Sequence, residues 1–312
     1  MGDVRLGVLP WSQATDWPGL EGAAKRLDQL GYHHIWAWDH LHAIFGDPDQ
    51  PFFEGWLTLA AWAKVTDRAR LGLLVGANTF RNPGLVAKMA TTLDHVSGGR
   101  AILGLGAAWF EHEHLAHGIE FGTGVGQRLD WMHESVAAIR TVLDGGEATS
   151  PEGAHYRFRN LRQLPLPVQQ HLPIMIGGSG EKKTLRTVAT YADMWNAMGT
   201  VETLRHKVEV LREHCAAVGR DFAEIELTVG CKPVIRDTEA EARQRLAELA
   251  AHNGDAKSWP NQLVGSTEQV AEQLRLFAGI GYRHLIAGFP APYDAETMDR
   301  LATEVRPMVE AV

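Results

Sequence analysis

The stretch Ile35-Trp36-Ala37-Trp38-Asp39-His40-Leu41 ends an apolar run in an acid and an imidazole. A carboxylate beside a group that titrates near neutrality is suited to holding or relaying a proton. Asp39 could instead cap the following segment and His40 could pack in a loop. Neighbours on a strand point to opposite faces, so both need not reach a ligand. A second stretch, Gly177-Gly178-Ser179-Gly180, precedes a helical pattern opening at Glu181-Lys182-Lys183. Free N–H groups at a helix start, a hydroxyl and two ammonium groups suit a phosphate, although a plain βα turn also uses glycine. A third, His112-Glu113-His114 with His117, gathers metal-ligating residue types. It lacks the His-Glu-x-x-His spacing, and the first strand ends in Trp11-Ser12-Gln13 rather than His-x-His. It reads as a solvated loop with one or two members facing a pocket, and no metal is expected.

These side chains need a frame, and the chain supplies a regular one. Val4–Leu9 reads as a buried strand; Leu20, Ala23, Ala24, Leu27 and Leu30 follow at helical spacing up to Gly31. His34–Trp38 is a second strand, followed by a helix over about 56–65. Leu71–Val75 is a third, and its helix opens at Asn82-Pro83 and closes at Ser97-Gly98-Gly99. Ala101–Leu105 is a fourth, with a long helix over about 127–143 beyond the His-rich connection. Residues 145–172 break the alternation, with a possible hairpin piece at His155–Phe158, and read as an insertion. Strand Pro173–Ile176 precedes a helix over 182–191; strand Asp193–Asn196 precedes one over 201–218. Strand Glu224–Cys231 is followed by a helix over 239–251 and a loop-rich stretch Asn253–Gly265. A helix carrying Val270, Leu274 and Phe277 leads to strand His284–Ala287. A last helix carries Met298, Leu301, Val305 and Met308.

Eight strands, each followed by a helix without a break in composition, predict an α/β protein of the (β/α)8 barrel type, one domain over residues 1–312. An open doubly wound sheet is the competitor, but no Gly-x-Gly-x-x-Gly follows the first strand. A net charge of -8 argues against nucleic-acid or anionic-membrane partners and leaves a small-molecule substrate as the expected one. Cys215 and Cys231 are far from any Cys-x-x-Cys spacing and are expected to be reduced, as in the cytoplasm. No signal peptide or membrane span is expected.

In a barrel the carboxyl ends of the strands form the catalytic rim. Trp11, Trp38, Phe80, Trp109 and Phe110 would stand there beside Gly76, Ala77, Ala107 and Ala108. Small residues let a flat ligand lie against backbone, and aromatic ones wall it in. For Trp36 core packing is the preferred reading.

Several of these segments together resemble the bacterial-luciferase-like superfamily of flavin and deazaflavin enzymes, over nearly the whole chain. They are Trp38-Asp39-His40-Leu41, Leu71-Gly72 through Thr79-Phe80-Arg81-Asn82-Pro83, Ser97-Gly98-Gly99-Arg100 through Gly104-Leu105-Gly106-Ala107-Ala108-Trp109, Pro173-Ile174-Met175-Ile176-Gly177-Gly178-Ser179-Gly180 and Ala192-Asp193-Met194-Trp195-Asn196. They are most similar to the branch that uses coenzyme F420.

The resemblance implies the barrel, a homodimer, and F420 as cofactor, with FMN as the alternative. It implies hydride transfer between the deazaflavin and a small organic substrate; a two-component FMN monooxygenase and a non-catalytic flavin-binding relative are the rivals. Asp39 would contact the cofactor head and His40 would be the base or proton relay. Cofactor contacts would also come from Leu74, Val75, Gly76, Ala77, Ala107, Ala108 and His112. Gly178, Ser179 and Gly180, with Gly177, would take the phosphate. A non-proline cis peptide near Leu74-Val75 would press on the ring. Trp11, Trp109, Glu111 and Asn196 would line the substrate pocket. Trp109 stands where the branch's sugar-phosphate dehydrogenases carry a catalytic Glu, which implies a less polar substrate.

Overall fold

A computed structural model describes residues 4–254 and 261–310. Eight parallel strands close on themselves: β1 (Arg5–Pro10), β2 (His34–Ala37), β3 (Arg70–Leu73), β4 (Ala101–Gly106), β5 (Ile174–Gly177), β6 (Met194–Ala197), β7 (Glu226–Ile235) and β8 (His284–Phe289). Each pairs with its sequence neighbour, and β8 pairs with β1 in the register Arg5↔His284 to Pro10↔Phe289. This is the predicted (β/α)8 barrel. Around it lie α1 (Trp17–Gln29), α2 (Gly55–Trp62), α3 (Pro83–Ser97), α4 (Glu111–His117), α5 (Val125–Leu143), α6 (Thr184–Tyr191), α7 (Val201–Val218), α8 (Glu239–Asn253), α9 (Thr267–Ala278) and α10 (Ala295–Arg300).

Local chemistry accounts for the helix starts. Asp16, Asn82 and Thr200 each accept a backbone N–H of the first turn of α1, α3 and α7. Thr238 with Glu241, and Ser266 with Gln269, form capping boxes on α8 and α9. The apolar residues of α1–α3, α5–α7 and α9 join the strands in one core, and the strands are buried almost throughout.

Four expectations are corrected. The His-rich connection is the helix α4, not a loop; Gly118 caps it with φ 65°. β7 starts after a 3-10 turn at Phe222–Glu224 and runs on to Ile235, four residues beyond the predicted Cys231. That extension pairs with a further parallel strand, Gln262–Gly265, inside the stretch expected to be loop; its remaining residues 255–260 lie outside the described set. Polar Gln262 and Gly265 at its ends leave only two apolar residues to signal a strand. In the insertion, the antiparallel pair is Glu147–Ala148 with Leu161–Arg162, and His155–Phe158 lies in the connection between them. Tyr156 reaches from that connection to the rim, where its hydroxyl donates to the Asn78 carbonyl at 2.8 Å.

Beyond β3 the chain kinks. The Leu74-Val75 peptide is cis, and the ladder resumes at Gly76–Ala77, opposite Leu105 and Gly106 of β4. The kink turns the Val75 side chain inward, where a Cβ on Gly106 or Gly177 would come within 2.6 and 2.7 Å of it. Gly104 faces the same kink, and a Cβ there would stand 1.9 Å from the Leu73 carbonyl oxygen. Because backbone must move to admit it, Gly104→Ala is expected to cost about 1–3 kcal/mol of stability. Urea denaturation checks this; an unchanged midpoint would mean the kink is not tightly packed on β4.

Candidate active site

The strand ends surround a cavity of about 520 Å³. Its floor is the kinked Leu74 and Val75 with the small residues Gly76, Ala77, Gly106, Ala107 and Ala108. All the expected cofactor positions except His112 line it, and so do Trp11, Trp109 and Asn196. His112 and Glu111 do not. They lie on the exposed face of α4, where the His112 ring meets His42 at 4.9 Å. The helix explains this: positions one and two residues before Glu113 point away from the face that Glu113 buries.

Asp39 is 1% exposed and spends both oxygens inside the protein. Arg81 forks onto it, Nη1 to Oδ2 at 2.8 Å and Nη2 to Oδ1 at 3.0 Å, and the Ala77 N–H donates to Oδ2 at 2.8 Å. Arg81 Nη2 also donates to Glu54 at 2.7 Å, and Glu54 caps α2 through the Leu57 N–H. Burial pushes the Asp39 carboxyl up from its ordinary value, while Arg81 and the Ala77 N–H hold it back. One ion pair thus ties the end of β2 to the kinked segment, to the start of α2 and to the loop before α3.

His40 is held from the other side. Its Nδ1 lies 2.9 and 3.1 Å from the two carboxylate oxygens of Glu113, which is 1% exposed. The same carboxylate accepts the Leu41 N–H at 2.8 Å. An ionised carboxylate only accepts, so the arrangement assigns the proton to Nδ1. Nε2 has no hydrogen-bond partner among the described residues, and His40 lines the cavity. His114, by contrast, is structural: it bonds Thr79 Oγ1 at 2.7 Å and the Phe110 carbonyl at 2.8 Å. Burial lowers its pKa. Among the described residues no three His, Cys, Asp or Glu side chains converge as metal ligands would.

An aromatic wall runs around the mouth. Trp11 stacks on Phe45 at 4.8 Å and tilts against Trp38 at 4.9 Å; His40 meets Trp109 edge-on at 5.7 Å. Trp36 is fully buried inside the barrel, as expected for a core residue.

The glycine turn opens onto the same cavity. Gly178 donates its N–H to the Asn196 carbonyl at 3.0 Å, and Asn196 Nδ2 donates to Thr228 at 2.8 Å. Thr184 begins α6 and stands over Gly180. The flanking lysines differ from expectation. Lys183 turns outward to Asp130 at 2.7 Å, and Lys182 is exposed. The ammonium at the turn is Lys207 of α7, donating to the Ser179 carbonyl at 2.8 Å and to Glu181 at 3.1 Å.

Sequence reading thus passed over four residues of the site. Arg81 and Glu113 stood inside quoted segments, but their partners are distant in sequence. Lys207 carried no local signal. Lys232 lies on the part of β7 beyond its predicted end and lines the cavity. Its ammonium stands 5.6 Å from the Trp11 ring centroid and 5.8 Å from that of Phe45. Burial pulls it down from 10.5 to about 8.

A sequence model of the family described as luciferase-like monooxygenase matches residues 6–284. An uncharacterized protein of Mycobacterium tuberculosis is 29% identical over 227 residues, spanning 68% of this chain and 79% of its own. A solved F420-dependent secondary alcohol dehydrogenase, in complex with an F420–acetone adduct, superposes with a TM-score of 0.84 at 19% identity, covering 99% of both chains. A monooxygenase from Streptomyces bottropensis superposes at 0.80 with 21% identity, covering 97% of this chain and 99% of that one. At such identities the two structures speak for the fold.

Two predictions follow from the charges. Arg81→Met strands the buried Asp39 carboxylate and is expected to cost about 3–5 kcal/mol, read by urea denaturation. The double variant with Asp39→Asn should recover much of that loss; no recovery would dismiss the pair as the origin of the cost. Between about pH 8 and 10.5, unfolded Lys232 holds a proton that the folded state has released. Wild-type stability should therefore rise with pH across that window relative to Lys232→Met. Parallel pH profiles for the two proteins would show that Lys232 keeps an ordinary pKa.

Proposed function

Because the chain belongs to the luciferase-like monooxygenase family, we propose that it is an oxidoreductase that moves a hydride between C5 of coenzyme F420 and a small organic substrate. The observation that carries this reading is one cavity in which a glycine turn faces an imidazole whose Nδ1 is fixed by a buried carboxylate. The choice of F420 over FMN rests on the likeness of the segments named above, taken together, to the F420 branch.

The residues present fit such a cofactor. A Cβ at Gly180 would stand 2.9 Å from Thr184 Oγ1, so glycine keeps open a cradle bounded by a hydroxyl. Ser179, Gly180 and Thr184 would hold the phosphate at the start of α6, with Lys207 fixing the turn from behind. The floor at Leu74–Ala77 and Ala107–Ala108 would carry the ring. When bound, a deazaflavin supplies two-electron hydride chemistry and does not readily activate dioxygen. With Nδ1 held by Glu113, His40 Nε2 is the atom left to give or take the accompanying proton. The aromatic wall keeps water from the reacting atoms and favours an apolar substrate.

Fluorescence titration should show saturable F420 binding in the micromolar range, weakened at least about tenfold by Gly180→Val through loss of its charge-assisted bonds. Saturable FMN binding without F420 binding would overturn the cofactor choice in favour of a flavin monooxygenase. His40→Ala should keep F420 affinity and lower turnover of an enone, imine and alcohol panel by about 10²–10⁴-fold. Undiminished turnover would remove His40 from the proton path.

A further inference from the structure

Among the described residues, the ionisable side chains that line the cavity are Asp39, His40, Glu113, Cys231 and Lys232. Asp39 is matched by Arg81 and Glu113 by His40. Cys231 is buried, its burial pushes the thiol up to about 12, and it carries no charge at neutral pH. Lys232 is left over. Among the described residues no carboxylate pairs with its ammonium, which rests against the faces of Trp11 and Phe45. Such contacts are weaker than the cost of taking an ammonium out of water. A cation kept in that position wants an anion.

The barrel says on which side the anion would sit. The kinked floor follows β3, and Lys232 lies on β7, four strands further round a ring of eight and so on the opposite wall. The glycine turn follows β5, and β6 separates it from β7. A planar cofactor lying on the kink with its phosphate at that turn would leave Lys232 facing its free side. There Gly288 and Ile286 of β8 join Trp11 in lining the cavity. Trp11 tilts against Trp38, Trp38 stacks with Phe52 at 6.5 Å, and Phe52 meets the His40 ring at 6.2 Å. An unbroken aromatic path thus leads from the ammonium to the imidazole.

We propose that Lys232 is a substrate anchor, and that the cavity takes a flat apolar or aromatic carboxylate. Its carboxylate pairs with Lys232 Nζ, and its apolar body lies along Trp11 and Trp38 with the reacting carbon toward His40. The inference deepens the oxidoreductase reading and rests on it for the place of the reacting carbon. Selectivity here comes from one charge at the far end of an aromatic slot.

The test uses trans-cinnamate and its neutral isostere cinnamamide, titrated calorimetrically into the full-length protein with and without saturating F420. Wild type should prefer cinnamate by about tenfold or more, the size of a hydrogen bond to a charged group. Lys232→Met should bring the two affinities together by weakening cinnamate alone, and Lys232→Arg should keep the preference. Equal affinities in wild type, a preference that survives Lys232→Met, or no binding of either probe would overturn the proposal. F420 binding is read in the same samples. A cinnamate preference that depends on Lys232 without any F420 binding would uphold the anchor and sink the cofactor, so the two failures are distinguishable.

Discussion

The Asp39–Arg81 ion pair is the constraint from which the rest of this site follows. A carboxylate at 1% exposure is tolerable only if its charge and lone pairs are met. Arg81 meets them with a two-bond fork, and the Ala77 N–H adds a third bond. Those bonds fix the end of β2 against the kinked segment that floors the cavity. Glu54 extends the pair to the N-terminus of α2. His40, the next residue after Asp39, thereby emerges from a fixed point. Glu113 then settles its orientation, because a buried carboxylate with one imidazole and one backbone N–H as partners leaves the ring little freedom.

The two ends of the cavity are built on opposite terms. At the His40 end every buried carboxylate is hydrogen-bonded, and what remains is one ring nitrogen. At the β7 end an ammonium stands over two aromatic rings and is unmatched among the described residues. Buried acids that are all satisfied position groups; a cation set in the cavity wall without a partner selects a ligand. The glycines at 106 and 177 serve the first purpose by letting Val75 pack where any side chain would collide. Gly180 serves the second by leaving room beside Thr184.

How far the sequence could be read depended on how local the signal was. Strands such as Ala101–Gly106 and helices such as Pro83–Ser97 announced themselves through apolar runs, a Pro at the first turn and glycine at the end. The α4 segment misled because five polar residues in seven, with three histidines among them, look solvated; burying Glu113 and His114 requires partners 35 to 73 positions away. The strand Gln262–Gly265 was illegible for a similar reason. Four residues form a strand there only because β7 runs past the barrel and offers an edge. Ending β7 at Cys231 also hid Lys232, since the apolar stretch does end there and only the added pairing carries the strand on.

By itself the sequence determined the barrel, because alternation of buried strands and capped helices is written in short-range periodicity and turn residues. It also determined which strand ends carry Asp39, His40 and the glycine turn. Only the tertiary structure decided how those groups are held. Arg81 reaches back 42 positions to Asp39, Glu113 reaches back 73 to His40, and Lys207 reaches back 28 to Ser179. Electrostatic pairing acts through space, on side chains brought together by barrel closure, and leaves no period along the chain. The same closure set Lys232 beside aromatic rings from the loops after β1 and β2, a surrounding that no window of neighbouring residues contains.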